Sequence, residues 1–394
     1  IVGRSFSKKD SLGMGLRLSA FKVTKMKELK VLYIVYRDFY KTGGTRRPLE
    51  VLRRIKRYQV DPYVILIQGS SDALKSLKKI ILNYCFWKKI ELKDFNLIVS
   101  TSETPANVIL GYLMSKKLKL PWTVTIQLPI NLKRTPATLT PVFKDPLWLP
   151  QQLLVSFMIK NTVPLTVSRS AILESTIKPD KFIEIKVPIA VDWEIIRQAS
   201  PQKETFEALY MARLTSEKGL FDIPKIWKKV TEKIKDAKLV VAGRFERERE
   251  KNKFFNLMRA FGLGKNINYV GYLSEEKKFS FMKSAKVFVY PSRLDAFPIV
   301  VMEALACGAP VVAYDIPAIT FNYPIESVTV VKKGDINAFA SKVVQMLMMD
   351  KPTFDRYREV SKKFASNFTW DKVAEEEAKA YKEFLKLAGR NKTD

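Results

Sequence analysis

The stretch Tyr290-Pro-Ser-Arg-Leu-Asp295-Ala-Phe-Pro-Ile-Val-Val-Met-Glu303-Ala-Leu-Ala-Cys-Gly308-Ala-Pro-Val311 decides the fold. An apolar, β-branched run over Val287–Tyr290 reads as a buried strand. A loop carrying Asp295 follows it. Pro298 stands where a helix would begin, a place that its fixed φ and missing N–H suit. Gly308 and Pro310 end that helix and feed the next strand, Pro310–Ala313. Such a strand–loop–helix–strand unit belongs to a parallel sheet. Open parallel sheets bind ligands at the carboxyl ends of their strands, where this loop lies. The amino end of the helix favours an anion such as a diphosphate. Glu303, about one turn in, is placed to accept from the two hydroxyls of a ribose. Asp295 is placed to accept from other hydroxyls of the same ligand. A solvated helix residue and a turn residue are the plainer readings of these two positions.

The same alternation extends in both directions. Strands are expected at Leu29–Tyr36, Tyr63–Ile67, Phe95–Val99, Trp122–Gln127, Leu165–Ser168 and Phe182–Val187. Helical spacing covers Leu49–Ile55, Leu74–Trp87 and Ala106–Met114. Asp192–Glu204 is polar, holds Pro201 and has no period, so it reads as a linker. The pattern then restarts with strands at Ala208–Met211, Lys238–Ala242, Ile267–Val270, Val287–Tyr290, Pro310–Ala313 and Val328–Val331. Helices are expected at Ile223–Ile234, Phe254–Phe261, Glu275–Lys283, Ile299–Ala306, Asn337–Met348, Thr353–Ser366 and Asp371–Leu387. Strands alternating with helices give an α/β protein with parallel sheets. The expected division is a basic extension over 1–25, a first domain over 26–195 and a second over 203–370.

Two further loops carry chemistry. Tyr210-Met-Ala-Arg213-Leu-Thr-Ser-Glu-Lys218-Gly219 follows a strand end. Its two cations suit a diphosphate and charge developing on a leaving group. Thr42-Gly43-Gly44-Thr45 follows the first strand, and glycines there let backbone amides approach a phosphate or sugar. It is neither a Walker loop nor GxGxxG. A surface charge pair and a tight turn are the ordinary alternatives.

Composition bounds the chemistry. The chain has 394 residues, a net charge of +29 and no histidine. A Ser-His-Asp site, a zinc helix with paired histidines and a histidine base are all excluded. Cys85 and Cys307 are too far apart in sequence for a CxxC motif, and both read as small buried hydrophobes. No Asp-x-Asp pair occurs, so no metal ligands are assigned and no cofactor is called. No apolar run approaches the roughly 18 residues of a membrane span. Residues 1–25 scatter Lys and Arg without an apolar core, unlike a secretory signal. Residues 1–200 carry +19 and residues 201–394 carry +10. That charge admits nucleic acid, anionic lipid or phosphorylated substrate, or a merely Lys-rich solvated surface of thermophile type.

Taken together, these motifs resemble family 4 glycosyltransferases (glycosyl transferases group 1). Arg213, Lys218-Gly219, Asp295-x7-Glu303, Gly308 and Pro310 look like the carboxyl domain of that family. Gly43-Gly44 is similar to its glycine loop. Thr166-Val-Ser168, Val187-Pro188 and Val191-Asp192 resemble its run into the linker. Phe368-Thr-Trp370-Asp371 and the helix beyond resemble its final helix, which crosses back to the amino domain over residues 371–390. The resemblance implies the GT-B architecture, with two Rossmann-like domains facing an interdomain cleft. It implies retaining transfer of a hexose from a nucleotide diphosphate sugar to a glycan or lipid-linked acceptor, without a required metal. Arg213, Lys218 and Asp295 would be catalytic. Glu303 would bind the ribose. Ala296, Phe297, Pro298 and Ile299 would line the donor sugar, with Gly43, Gly44, Gln127 and Gly243 also on the donor.

Departures from the family pattern stand beside it. Asp295 is one methylene shorter than the usual Glu. Ala296 and Pro298 flank Phe297 where a glycine pair is common, and Pro298 lacks an amide donor. Gln127 ends a strand where histidine is frequent and cannot carry a proton as imidazole does. Arg244 and Phe245 follow Gly243 without a second glycine. A non-catalytic polyanion- or membrane-binding protein on a degenerate scaffold, or a nucleotide-sugar epimerase, are the alternatives. Arg46, Arg47, Arg53, Arg54, Lys56 and Arg57 decorate one helix, and Lys75, Lys78, Lys79, Lys88 and Lys89 surround the run ending Phe86-Trp87. These suggest an anionic membrane surface as partner, with a cytoplasmic protein peripheral on the inner face and nucleic acid not expected. The apolar stretch Leu147-Trp148-Leu149 with Leu153–Met158 would lie near the acceptor opening.

Overall fold

Near-continuous apolar strands need cover on both faces, and helices between parallel strands supply it. The structure, a computed structural model, describes residues 28–36, 43–67, 94–127, 148–176, 178–203, 206–295 and 297–390. The chain divides into two units, Ile1–Pro188 with Trp370–Asp394, and Ile189–Thr369.

In the first unit, β1 (Leu29–Tyr36), β2 (Val60–Ile67), β3 (Leu97–Ser100), β4 (Trp122–Ile126), β5 (Leu165–Thr166) and β6 (Ile183–Glu184) are all parallel. Their order is β2-β1-β3-β4-β5-β6, so the strand order reverses between β1 and β3. Helix α1 (Gly43–Arg54) follows β1, and Gly43 and Gly44 open it rather than form a separate turn. Helix α2 is Pro105–Leu118 and α3 is Trp148–Lys160. The last helix, Trp370–Arg390, returns to this unit. There Glu377 pairs with Arg47 of α1 at 2.5 Å, with both side chains buried. The Tyr381 ring meets Tyr33 of β1 edge-on at 6.0 Å.

The second unit is an independent parallel sheet of β7 (Phe206–Met211), β8 (Leu239–Ala242), β9 (Ile267–Gly271), β10 (Ala285–Tyr290), β11 (Val311–Tyr314) and β12 (Val328–Val331). Read from β9, the order is 3-2-1-4-5-6 in the unit's own count, the dinucleotide-binding arrangement. Its helices are α4 (Trp193–Gln198), α5 (Asp222–Lys233), α6 (Glu248–Ala260), α7 (Glu275–Ser284), α8 (Ile299–Ala306), α9 (Ile336–Leu347) and α10 (Lys351–Ala365). One core of strand residues and facing helix residues fills the unit, with Trp227, Phe254, Phe279 and Phe339 fully buried.

Two expectations change. The segment Asp192–Glu204 is not a free linker. It contains α4, whose Ile196 is buried, and Lys283 Nζ donates to Ala199 O at 2.6 Å. Trp193, Ile195 and Ile196 give too short an apolar set to announce a helix by period. Strands β5 and β6 are two residues each, because Ser168 leaves the sheet to cap the short helix Arg169–Leu173. The stretch ending at Met158 is helical, with Leu149, Leu153, Leu154 and Phe157 exposed. The helix expected at Leu74–Trp87, Cys85 and the lysines around that run lie outside the described residues. Among the described residues no helix is long and apolar enough to cross a membrane.

Candidate nucleotide-sugar site

The strand order of the second sheet reverses between β7 and β10, and the loops after these two strands hold Arg213, Lys218 and Asp295. Backbone bonds tie them together. Arg293 N donates to Glu217 O at 2.8 Å, and Tyr210 OH donates to Lys218 O at 3.0 Å. Gly219 sits at φ 78°, where a Cβ would lie 2.0 Å from the Pro291 carbonyl oxygen. Only glycine permits both that conformation and that approach. Arg293 also donates twice to Asp222 Oδ2, at 3.1 and 2.6 Å, and Tyr314 OH donates to the same oxygen at 3.1 Å. The buried Asp222 carboxylate thus fixes the start of α5 beneath the loop.

Lys218 and Asp295 come together. Lys218 Nζ lies 2.5 Å from Asp295 Oδ2 and 3.3 Å from Leu294 O, with both side chains mostly buried. Tyr290 OH donates to the same Oδ2 at 2.5 Å. Burial, and then the Asp295 charge, push the Tyr290 phenol well above its ordinary value, so it remains a donor at neutral pH. The shorter Asp is therefore held from two sides. Arg213 is elsewhere on the rim: its exposed guanidinium pairs with Glu246 at 2.8 Å. Both cations expected on a diphosphate thus carry a carboxylate partner in the protein alone.

Phe297 packs on Tyr323 at 5.6 Å, and Tyr323 OH donates to Pro298 O at 2.7 Å. Pro298 is buried and caps α8, so Ile299 begins the helix as the proline signal implied. Ala296 lies outside the described residues. Glu303 is 9% exposed on α8, not a solvated helix residue. Its Oε1 accepts from Lys278 Nζ at 2.7 Å, and Lys278 also pairs with Glu275 at 2.8 Å. The Cys307 thiol is pushed up to about 12 by burial and then by the Glu303 charge, which makes it inert.

Gly243 lies at φ 139°, and a Cβ there would meet Ala212 O at 1.9 Å, so close passage of the loops after β7 and β8 requires glycine. Leu214 N donates to Arg244 O at 2.9 Å across the same gap. In the first unit, Gln127 uses its side-chain amide on Thr101 O at 2.8 Å, and its backbone N–H on Glu103 at 2.8 Å. Gly43 and Gly44 lie beside that sheet's reversal, at the amino end of α1. Cations on α1 and in the turn after it have carboxylate partners, although Arg53, Lys56 and Arg57 remain largely exposed. Arg53 and Arg54 bond Glu50, Arg57 meets Asp371 at 2.6 Å, and Lys56 lies 3.6 Å from Asp61. Among the described residues, no cluster of three or more acidic or cysteine side chains is placed to hold a metal. A cavity of about 1,180 Å³ opens at the opposite, amino end of the second sheet, between Lys203, Lys238, Lys265 and Lys277. The motif loops lie at the carboxyl end and do not line it.

Residues 191–364 match the model of glycosyl transferases group 1. That segment is similar to the group 1 glycosyl transferase domain. Over 173 residues the chain is 28% identical to an uncharacterized glycosyltransferase of Methanocaldococcus jannaschii, covering 44% of this chain and 38% of that protein. The matched stretches of the first curated relatives span 38% to 52% of their length. In solved structures the likeness runs further. A glycosyltransferase from Rickettsia africae superposes with a TM-score of 0.70 at 18% identity, over 92% of this chain and 100% of that one. Anabaena HepE, solved with UDP and glucose, gives 0.67 at 12% identity, over 90% and 100%. The fold is GT-B, and the segment similar to group 1 transferases coincides with the second unit. Sequence reasoning missed Tyr290 as a partner of Asp295, along with Lys278 and Tyr323. Tyr290 carried a signal, a polar aromatic closing a buried strand. Lys278 carried none, because its partner is on another helix.

Proposed function

We propose that this protein is a retaining glycosyltransferase that moves a hexose from a nucleotide diphosphate sugar to a glycan or lipid-linked acceptor. The second unit would hold the donor and the first the acceptor. One observation carries the reading: Lys218, Asp295 and Glu303 stand at the reversal of a 3-2-1-4-5-6 sheet, within the segment similar to group 1 transferases. The HepE structure with UDP and glucose supports a nucleoside diphosphate donor.

In this reading Glu303 accepts from the ribose hydroxyls. Lys218 and Arg213 exchange their carboxylate partners for the diphosphate and stabilise charge as it leaves. Asp295, Ala296, Phe297, Pro298 and Ile299 line the sugar, and Gly243 contributes to the same donor surface of the second unit. The bond from the anomeric carbon to phosphate oxygen breaks, and the acceptor oxygen bonds the same face. The acceptor proton passes to the leaving phosphate, so a chain without histidine needs no imidazole base, and Arg213 and Lys218 supply positive charge where a metal would otherwise act. The exposed apolar residues of α3 suit a lipid-linked acceptor at the inner face of a membrane.

The test is a panel of UDP-, GDP- and ADP-hexoses, with mass detection of transfer and of hydrolysis. Glu303→Ala is expected to lose both, by a hundredfold or more, while keeping its melting temperature within a few degrees. Undiminished turnover would remove Glu303 from the donor site. Product with inverted anomeric configuration would refute retention.

A further inference from the structure

Lys278 is an unusual lysine. It lies on α7, its side chain is 12% exposed, and its Nζ bridges Glu303 on α8 and Glu275 on its own helix, at 2.7 and 2.8 Å. Lysine is rarely so covered unless it is paired. Burial works against its charge, and the Glu303 and Glu275 carboxylates outweigh it, so its affinity for the proton is raised. The ammonium also lies 4.5 Å from the centre of the Phe279 ring.

We infer that Lys278 is a specificity-determining residue of the donor site: it fixes the Glu303 carboxylate and places a cation beside the nucleotide ribose, so that the site selects a ribonucleoside diphosphate with both ribose hydroxyls. The inference rests on the reading that Glu303 binds the ribose. A Glu side chain has three rotatable bonds, and left alone it samples several rotamers. Anchored through Oε1, it presents one acceptor arrangement. An ionised carboxylate accepts at about four lone-pair sites, so the bond from Lys278 orients the group without exhausting it. An ammonium has three N–H donors, and two go to carboxylates. The third is available to a ribose or phosphate oxygen. The two carboxylates and one ammonium sum to a single negative charge, where two bare carboxylates would repel an anionic nucleotide. A ligand lacking the 2′-hydroxyl leaves the fixed carboxylate one bond short, and discrimination follows from that unmade bond.

Binding of UDP, GDP, ADP and their 2′-deoxy forms by calorimetry tests this in the full chain. The unaltered protein is expected to prefer its best ribonucleotide over the deoxy form at least tenfold. Lys278→Met should weaken that ribonucleotide about tenfold and bring the ratio near one. Turnover at saturating donor should change less than threefold, so the loss falls on KM. Lys278→Arg should recover at least half of the ratio. If Lys278 only ties α7 to α8, Lys278→Met lowers the melting temperature and leaves affinity and ratio unchanged, which overturns the inference. Should that variant fail to fold, Lys278→Gln keeps a donor without the charge. A threefold loss of the ratio then supports the proposal, and an unchanged ratio overturns it. Glu303→Ala, measured in parallel, separates the two levels. If it abolishes nucleotide binding while Lys278→Met has no effect, only the role of Lys278 falls. If it binds normally, the donor-site reading falls with it.

Discussion

Tyr290 closes β10 with its ring buried and its hydroxyl on Asp295, so one residue both ends a strand and holds the Asp295 carboxylate. A buried hydroxyl bonded to an ionised group stabilises by about 1.5–3 kcal/mol. Tyr290→Phe removes that donor and leaves Lys218 as the main restraint on Asp295. The expected cost is about 2 kcal/mol of stability, together with a roughly tenfold fall in turnover, equivalent to about 1.4 kcal/mol of barrier. Urea unfolding and steady-state kinetics measure the two effects separately. A stability loss without a kinetic effect would make Tyr290 purely structural. The quoted stretch 290–311 announced Asp295 and Glu303 by their place between a strand and a helix. It did not announce their partners. Lys218 is 77 residues from Asp295 and Lys278 is 25 from Glu303; the first pair meets because β7 and β10 are neighbours in the sheet, and the second bridges helices α7 and α8.

At the scale of elements, most of the second unit was legible because each strand is a continuous apolar run and each long helix keeps an apolar face. The exceptions are short. Helix α4 spans six residues, and β5 and β6 pair over two, below the length at which a period can be read. The loops between elements are legible only through glycine. Gly219 and Gly264 are both turn glycines in sequence, yet the structure separates them. Gly219 has positive φ and a backbone oxygen 2.0 Å from a Cβ, while Gly264 has nothing within 4 Å. Left-handed geometry alone costs a non-glycine residue about 1–2 kcal/mol, and the clash with Pro291 must move one of two loops. Gly219→Ala is therefore expected to destabilise by more than about 2 kcal/mol and to lower turnover, because Lys218 is the next residue. Gly264→Ala should stay within about 0.5 kcal/mol. Equal effects in the two variants, measured by denaturant unfolding, would contradict the close approach of the loops.

Across the whole molecule the buried phenols dominate the response to alkali. Tyr33 and Tyr381 in the first unit, and Tyr210, Tyr290 and Tyr323 in the second, are fully covered, and burial raises each above the ordinary tyrosine value. In the unfolded chain these groups ionise near pH 10. Between there and their folded values, the unfolded state binds fewer protons than the native state, and stability falls as pH rises. Below about pH 9 neither state ionises them, so their contribution is constant and fully present. Cys307, raised to about 12, adds to the loss from pH 9 upward. Each such group approaches a slope of about 1.4 kcal/mol per pH unit, so between pH 10 and 11 the first unit is expected to lose about 2 kcal/mol and the second about 4. Urea midpoints from pH 7 to 11 should be flat at first and then drop steeply. Tyr290→Phe removes one of these protons, and its curve should descend less steeply by that single-group slope while starting from lower stability at pH 8. A parallel descent would mean that Tyr290 ionises equally in the folded and unfolded chains, and so is not the neutral donor that holds Asp295.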